Sequence, residues 1–245
     1  MTAVRPPLAP LDGRFITLQP LLLDQLAELH SAIGHREVFA GGYGVGPAGF
    51  RADAQEFEQW ARGYLQFGAA ALAAASGTNG SERKGAGTDS ASNNANVYGV
   101  RLRGGAHDGL LIGTSTLGDI DVERESAHIG WTAYDPRVWG SQVNAEAKLL
   151  LFSSAFENGF GRVKIQADAV NARSRAAIER LGARYEGIVR RERQRPDGTW
   201  RDTVFYSVLA EEWPDVQSGL RERLERFSSP VQLRGAAVGE QQLSA

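Results

Sequence analysis

Apolar and polar positions change period several times along the chain, and each change marks an expected element. Residues 14–18 predict a short strand. Residues 22–33 and 54–67 predict helices, the second because Phe57, Trp60, Ala61 and Tyr64 recur at helical spacing. Residues 97–103, 110–117 and 127–134 read as consecutive strands joined by turn-rich segments, the last stopped by Asp135-Pro136. The next helix has Asn144 as its expected N-cap, an apolar stripe of Ala145, Leu149, Phe152 and Phe156, and Gly159 at its end. Val163, Ile165, Ala167 and Ala169 then alternate with Lys164, Gln166 and Asp168, the period of a strand. Asn171 caps a helix closing at Leu181-Gly182. Residues 188–194 and 199–209 flank the turn Pro196-Asp197-Gly198, and a helix spans 214–227. Helices and strands mixed in this order, with few parallel crossovers, give a mixed α+β class.

Composition sets the organisation. Of the 21 residues from Ser76 to Asn96, 12 are Gly, Ser or Asn and none is aromatic, so 76–96 reads as a flexible insertion. It is expected to be a long hairpin loop between neighbouring strands at 69–75 and 97–103. The Pro-rich residues 1–10 and the aperiodic residues 228–245 read as mobile tails, leaving one domain over 11–227. A formal net charge of −2 over 245 residues gives no long-range pull toward nucleic acid or anionic membrane, so neither is an expected partner. With no cysteine, disulfides, thiol nucleophiles and Cys-ligated zinc are excluded, and a reducing cytoplasm is the expected compartment. Neither a signal peptide nor the ~20-residue apolar run of a membrane span is visible.

Two short motifs carry little weight. Gly44-Val45-Gly46-Pro47-Ala48-Gly49 spells a dinucleotide fingerprint, but no strand precedes it and Pro47 interrupts it, so a loop between helices is the simpler assignment. Ser81-Glu82-Arg83-Lys84 pairs a serine and a lysine inside the insertion, where preorganisation is hardest. A composite signal is stronger: a strand ending at Tyr134, the loop Arg137-Val138-Trp139-Gly140-Ser141-Gln142-Val143, and a helix opening at Asn144. Free amides and the positive dipole end at such a helix start can hold a pyrophosphate.

The segment Asn171-Ala-Arg-Ser174-Arg-Ala-Ala-Ile178-Glu-Arg-Leu181-Gly182-Ala183 resembles the NxxS…LG helix of the GNAT N-acetyltransferase superfamily. The loop before Asn144 is similar to that superfamily's acetyl-CoA pyrophosphate loop, with Glu146-Ala147 where the family often has the same pair. Ala127-His128-Ile129-Gly130-Trp131 and Arg201–Ser207 are similar to the branch containing ribosomal-protein N-terminal acetyltransferases, and the likeness runs from about Leu11 to Trp213.

The resemblance implies a mostly antiparallel, twisted sheet splayed between two strands and flanked by helices. It implies acetyl-CoA as acyl donor, an amine of a small molecule or protein N-terminus as acceptor, no metal and no covalent enzyme intermediate. Trp131, Trp139, Gly140, Ser141, Gln142, Val143, Asn144, Asn171 and Arg173 are the implied coenzyme-binding residues. Departures are present: Gln142 falls at a fixed glycine of the family's loop, and Ile178 replaces the tyrosine that often serves as proton donor. Ser174 is the alternative donor, or a third-position helix serine. His128 is the expected base, or a structural histidine, and Asp168 ranks second, as acceptor-orienting group or cap. Tyr43 and Trp200 lie where relatives wall the acceptor site. Open alternatives are a longer acyl group such as succinyl, marked by basic residues near the acyl end, and a non-catalytic CoA- or protein-binding module. The helix at 214–227 can pack on its own body or on a second copy in a homodimer.

Overall fold

A computed structural model describes residues 2–65, 94–195 and 197–235. Its strands are β1 (Leu11–Asp12), β2 (Ile16–Pro20), β3 (Asn96–Leu102), β4 (Leu111–Asp121), β5 (Ser126–Tyr134), β6 (Arg162–Asp168), β7 (Arg184–Gln194) and β8 (Trp200–Leu209). Its helices are α1 (Leu26–Ile33), α2 (Arg36–Ala40), α3 (Ala54–Tyr64), α4 (Val143–Glu157), α5 (Ala172–Glu179) and α6 (Trp213–Glu225). The strands form one sheet in the order β1-β2-β3-β4-β5-β6-β8-β7.

Strand alternation distributes the core over both faces of this sheet. Tyr98, Val100 and Leu102 pack with Leu151 and Phe152 of α4, whereas Val97 and Leu111 pack with Leu26, Leu29, Phe39 and Phe57 of the N-terminal helices. α4 is tied to the sheet by Glu146, whose carboxylate accepts the amides of Arg14, Phe15 and Ile16 at 2.7, 2.7 and 2.8 Å. That ring of amide donors explains a carboxylate in the core. α6 packs on its own body, with Trp213 5.5 Å from Phe152 and 5.2 Å from Phe156 between ring centres.

Among the described residues every pairing is antiparallel except that of β5 with β6, which lasts three rungs, Ser126–His128 against Arg162–Lys164. Beyond Lys164, β6 stays with β8 as far as Asp168 and Thr203, while β5 continues along β4 to Tyr134. The sheet therefore forks after His128. On the β5 side of the fork, Trp131 and Thr132 oppose the single residue Ser115, a bulge that puts Trp131 at φ 48°.

Several expectations change. Asn144 is not the cap of α4: Gln142 holds that position, its carbonyl accepting the Glu146 amide, while Ser141 Oγ accepts from Val143 N. Residues 2–10, expected as a tail, lie against the body: Ala3 is buried, Val4 N donates to Asn158 O, and Asn96 Nδ2 reaches Pro6 O. The segment 228–235 is likewise docked, through buried Val231 and Arg234 N on Arg137 O. The expected strand at 69–75, residues 76–93 of the expected insertion, the Ser81–Lys84 pair and residues 236–245 fall outside the described residues. β1 and α2 are additional elements, and β7 starts at Arg184, because this edge strand is exposed along most of its length and shows no clean alternation. The 43–49 segment is a tight turn: a Cβ on Gly49 would meet Gly44 O at 1.7 Å, so its glycines serve close packing.

Candidate functional site

The fork opens into a cavity of about 420 Å³ that reaches from the β5 bulge to the loop before α4. Its described walls carry five arginines, Arg173, Arg180, Arg193, Arg201 and Arg223, and one lysine against the single carboxylate of Asp168. Such a surface suits an anion.

At the loop end, Asp135 Oδ1 accepts Arg137 N at 2.8 Å and starts a short turn, Trp139 Nε1 donates to Tyr134 O at 2.9 Å, and Gly140 adopts φ 74°. The turn leads straight into α4, whose N-cap makes no side-chain hydrogen bond to the helix amides. Trp139, Gly140, Ser141 and Asn144 line the cavity. Gln142 and Val143 do not: both are buried, and Gln142 Nε2 turns away to Ser229 O. The side chain at the family's glycine position is thus kept off the wall. Across the cavity, Asn171 Oδ1 caps α5 by accepting Ser174 N at 2.9 Å, its Nδ2 donates to Gly41 O, and the Arg173 guanidinium lies over the Trp139 ring. The Gly140 and Asn144 amides, which have no acceptor among the described residues, a left-handed glycine and a stacked arginine fit a nucleotide diphosphate.

At the bulge end, His128 is buried. Its Nδ1 lies 3.3 Å from Asp119 Oδ2, off the axis of a hydrogen bond, and Nε2 is also without a partner among the described residues. Burial lowers the imidazole pKa first; Asp119 opposes that, and Lys164 and Lys148 reinforce it. The ring is therefore neutral near pH 7 and able to accept a proton. Asp119, hydrogen-bonded to Lys164 at 3.1 Å, is held well below the usual carboxylate range, chiefly by His128. The His128 ring lies over Gly130, where a Cβ would approach Cε1 to 2.7 Å.

Ser174 lines the cavity, and its hydroxyl makes no hydrogen bond to the described residues. Asp168 lines it too, but is engaged: Oδ2 pairs with Arg195 at 2.5 Å and Oδ1 accepts Val170 N, which makes it a turn-former held by an arginine. Tyr43 reaches the wall, its buried hydroxyl without a partner among the described residues and its pKa raised by burial. Trp200 does not; it stands on the hairpin under Arg191, 4.5 Å away.

The wall residues not expected from the sequence include Tyr64, Thr132 and Lys148. Lys148 is 5% exposed, donates to Thr132 Oγ1 at 2.7 Å and Ser115 Oγ at 3.1 Å, and burial pulls its pKa down to about 7. A lone lysine between Ala147 and Leu149, four residues after Asn144, is the sequence signal that marks it. Among the described residues no group of three or more His, Asp or Glu could hold a metal ion, and no helix is long and apolar enough to cross a membrane.

Comparison with known proteins matches an acetyltransferase (GNAT) domain to residues 16–184. The "Putative ribosomal N-acetyltransferase YdaF" of Bacillus subtilis (strain 168) is 37% identical over 121 residues, covering 49% of this chain and 64% of that protein, so the chain matches under two-thirds of its length. The crystal structure of a GCN5-related N-acetyltransferase from Brucella melitensis superposes with a TM-score of 0.71 at 25% identity, over 95% of this chain and 93% of that one. The microcin C7 self-immunity acetyltransferase MccE, solved in complex with acetyl-CoA and AMP, shares the fold at a TM-score of 0.59 and 17% identity, over 80% and 93% of the two chains. With the matched domain spanning the sheet from β2 to the start of β7 and taking in most of the forked cavity's walls, the chain belongs to the GNAT acetyltransferase family.

Proposed function

We propose that the chain is a coenzyme A-dependent N-acyltransferase that moves an acyl group, acetyl in the family's ordinary form, to a primary amine of a small molecule or protein N-terminus. The observation that carries this is the continuity of one cavity from the amide-rich turn at Gly140–Asn144 to the β5 bulge beside His128. The MccE complex supports acetyl-CoA as the donor class. When bound, coenzyme A supplies an activated thioester carbonyl.

The chain supplies position and proton handling. The turn before α4 and Arg173 hold the diphosphate. The fork leaves β5 backbone exposed to an extended arm, as a missing neighbour strand does. At the bulge, backbone N–H groups displaced from the ladder meet negative charge developing on the acyl oxygen. His128 Nε2, neutral and unpartnered, takes the proton of the incoming amine, directly or through one water. The Ser174 hydroxyl protonates the departing sulfur. Aligning amine and thioester supplies the rest of the acceleration.

The deciding experiment is calorimetric binding of acetyl-CoA followed by thiol release with an amine panel. Micromolar binding that is weakened in Gly140→Glu, with amine-dependent thiol release slowed in Ser174→Ala at unchanged coenzyme affinity, is the expected result. No binding at millimolar thioester overturns the reading.

A further inference from the structure

We propose that the acyl end of the cavity selects a donor whose acyl chain ends in its own carboxylate, a short dicarboxylic thioester, and that Lys148 is the residue that recognises it. This rests on the coenzyme A reading above and specifies its acyl group.

Lys148 stands where the sheet forks, its ammonium group fixed by the hydroxyls of Thr132 in the β5 bulge and Ser115 opposite it. Those hydroxyls solvate the charge without balancing it. No described carboxylate does so either: Glu146 on the same helix is consumed by the amides of β2 and the residues before it, Asp119 pairs with Lys164, and Asp168 pairs with Arg195. A buried cation without a counter-charge costs several kcal/mol, and the chain places a lysine under that penalty on the wall of its ligand cavity. Burial alone drives its pKa toward neutrality, as expected where no anion is present.

An acyl methyl placed here would cover an ammonium group and two hydroxyls while offering them nothing. A terminal carboxylate would give the ammonium its missing partner through a charge-assisted hydrogen bond, roughly twice as strong as a neutral one. A site built around buried polar groups rejects the analogue that leaves them unpaired. The transfer itself is unchanged. The amine nitrogen bonds to the acyl carbon, the carbon–sulfur bond breaks, and the proton lost by the amine ends on a chain base or the released thiol.

The test compares succinyl-CoA with butyryl-CoA, equal in carbon number and differing in the carboxylate, for binding and thiol release by the full chain and its Lys148→Met and Lys148→Arg variants. Free CoA serves as the reference for coenzyme binding. The expected result is a succinyl over butyryl preference of about tenfold or more, lost in Lys148→Met and largely kept in Lys148→Arg. Equal use of the two thioesters, or a preference that survives Lys148→Met, overturns the proposal while leaving coenzyme binding intact. Failure of CoA and every thioester to bind overturns the coenzyme reading and this inference together. If Lys148 were only a structural tie between α4 and the sheet, Lys148→Met would change stability but not the donor ratio.

Discussion

The guanidinium of Arg173 lies 3.8 Å from the centre of the Trp139 ring, joining the start of α5 to the loop that opens α4. The two residues are 34 positions apart, and each comes from one of the two segments that carry the family resemblance. Stacking fixes an arginine that would otherwise sample many rotamers, and it presents a charge to the end of the cavity proposed above for the diphosphate.

Arg173→Ala is therefore expected to weaken CoA binding about 5- to 10-fold, with a steeper loss at low salt, whereas Arg173→Lys recovers charge but not the planar stack and restores only part. Isothermal titration with CoA at two ionic strengths checks this. Equal affinity in the wild type and Arg173→Ala would place the arginine outside the binding surface.

How far the sequence reaches depends on where the signal lies along the chain. β5, α4, β6 and α5 show their period locally, and the cap Asn171 and the turn before α4 are legible in order. The fork is not, because it arises from β6 leaving β5 after Lys164, a pairing fact with no local pattern. Gln142 illustrates the same limit. Its residue type implies a crowded phosphate loop, and only the docking of residues 229–234 explains why its side chain points elsewhere. The N-terminal residues resemble a tail by composition yet are held by Asn96 and Asn158, both distant in sequence.

His128 sets an expected pH profile. Its pKa lies below the ordinary imidazole value, so if it is the base, as proposed above, it is protonated and inactive only in acid, and kcat/KM should rise with pH through a midpoint under about 6.5 and then level. His128→Gln should remove that acidic limb and lower turnover by roughly 10²-fold or more. Because Asp119 holds the imidazole pKa up against burial, Asp119→Asn should move the limb further into acid rather than abolish it. Rate profiles from pH 5 to 9 separate these cases. An unaltered profile in His128→Gln would transfer the base role to another group.

Gly130 tests whether the position of that ring matters. Its φ is ordinary, so alanine is penalised by space alone: the new Cβ would stand 2.7 Å from His128 Cε1 and 2.9 Å from Nε2. The ring must rotate, and it has Trp131 on one side at 5.2 Å between centres. Gly130→Ala should cost about 1–3 kcal/mol of stability and reduce turnover well beyond its effect on CoA affinity. If denaturation midpoint and turnover both match the wild type, the ring has room to spare and its placement is not critical.

Lys148 links the site to the stability of the whole domain. An unfolded lysine titrates near 10.5 and the folded one near 7, so between those values the unfolded chain binds a proton that the folded chain lacks. Stability should accordingly climb as pH rises from about 7 to about 10. Below about 7 both states are protonated and the full penalty of the buried charge, on the order of a few kcal/mol, is present. Lys148→Met removes that charge at similar volume, and the hydroxyls it leaves, Ser115 and Thr132, already lie 2.7 Å apart and satisfy one another. The variant should be more stable than the wild type by about 1–3 kcal/mol at pH 6.5, and its advantage should shrink toward pH 10. Urea unfolding at a series of pH values measures both effects. A variant that is less stable at every pH would show that Lys148 holds the sheet and α4 together as an ion pair or tie, and that its burial carries no penalty for a ligand to relieve.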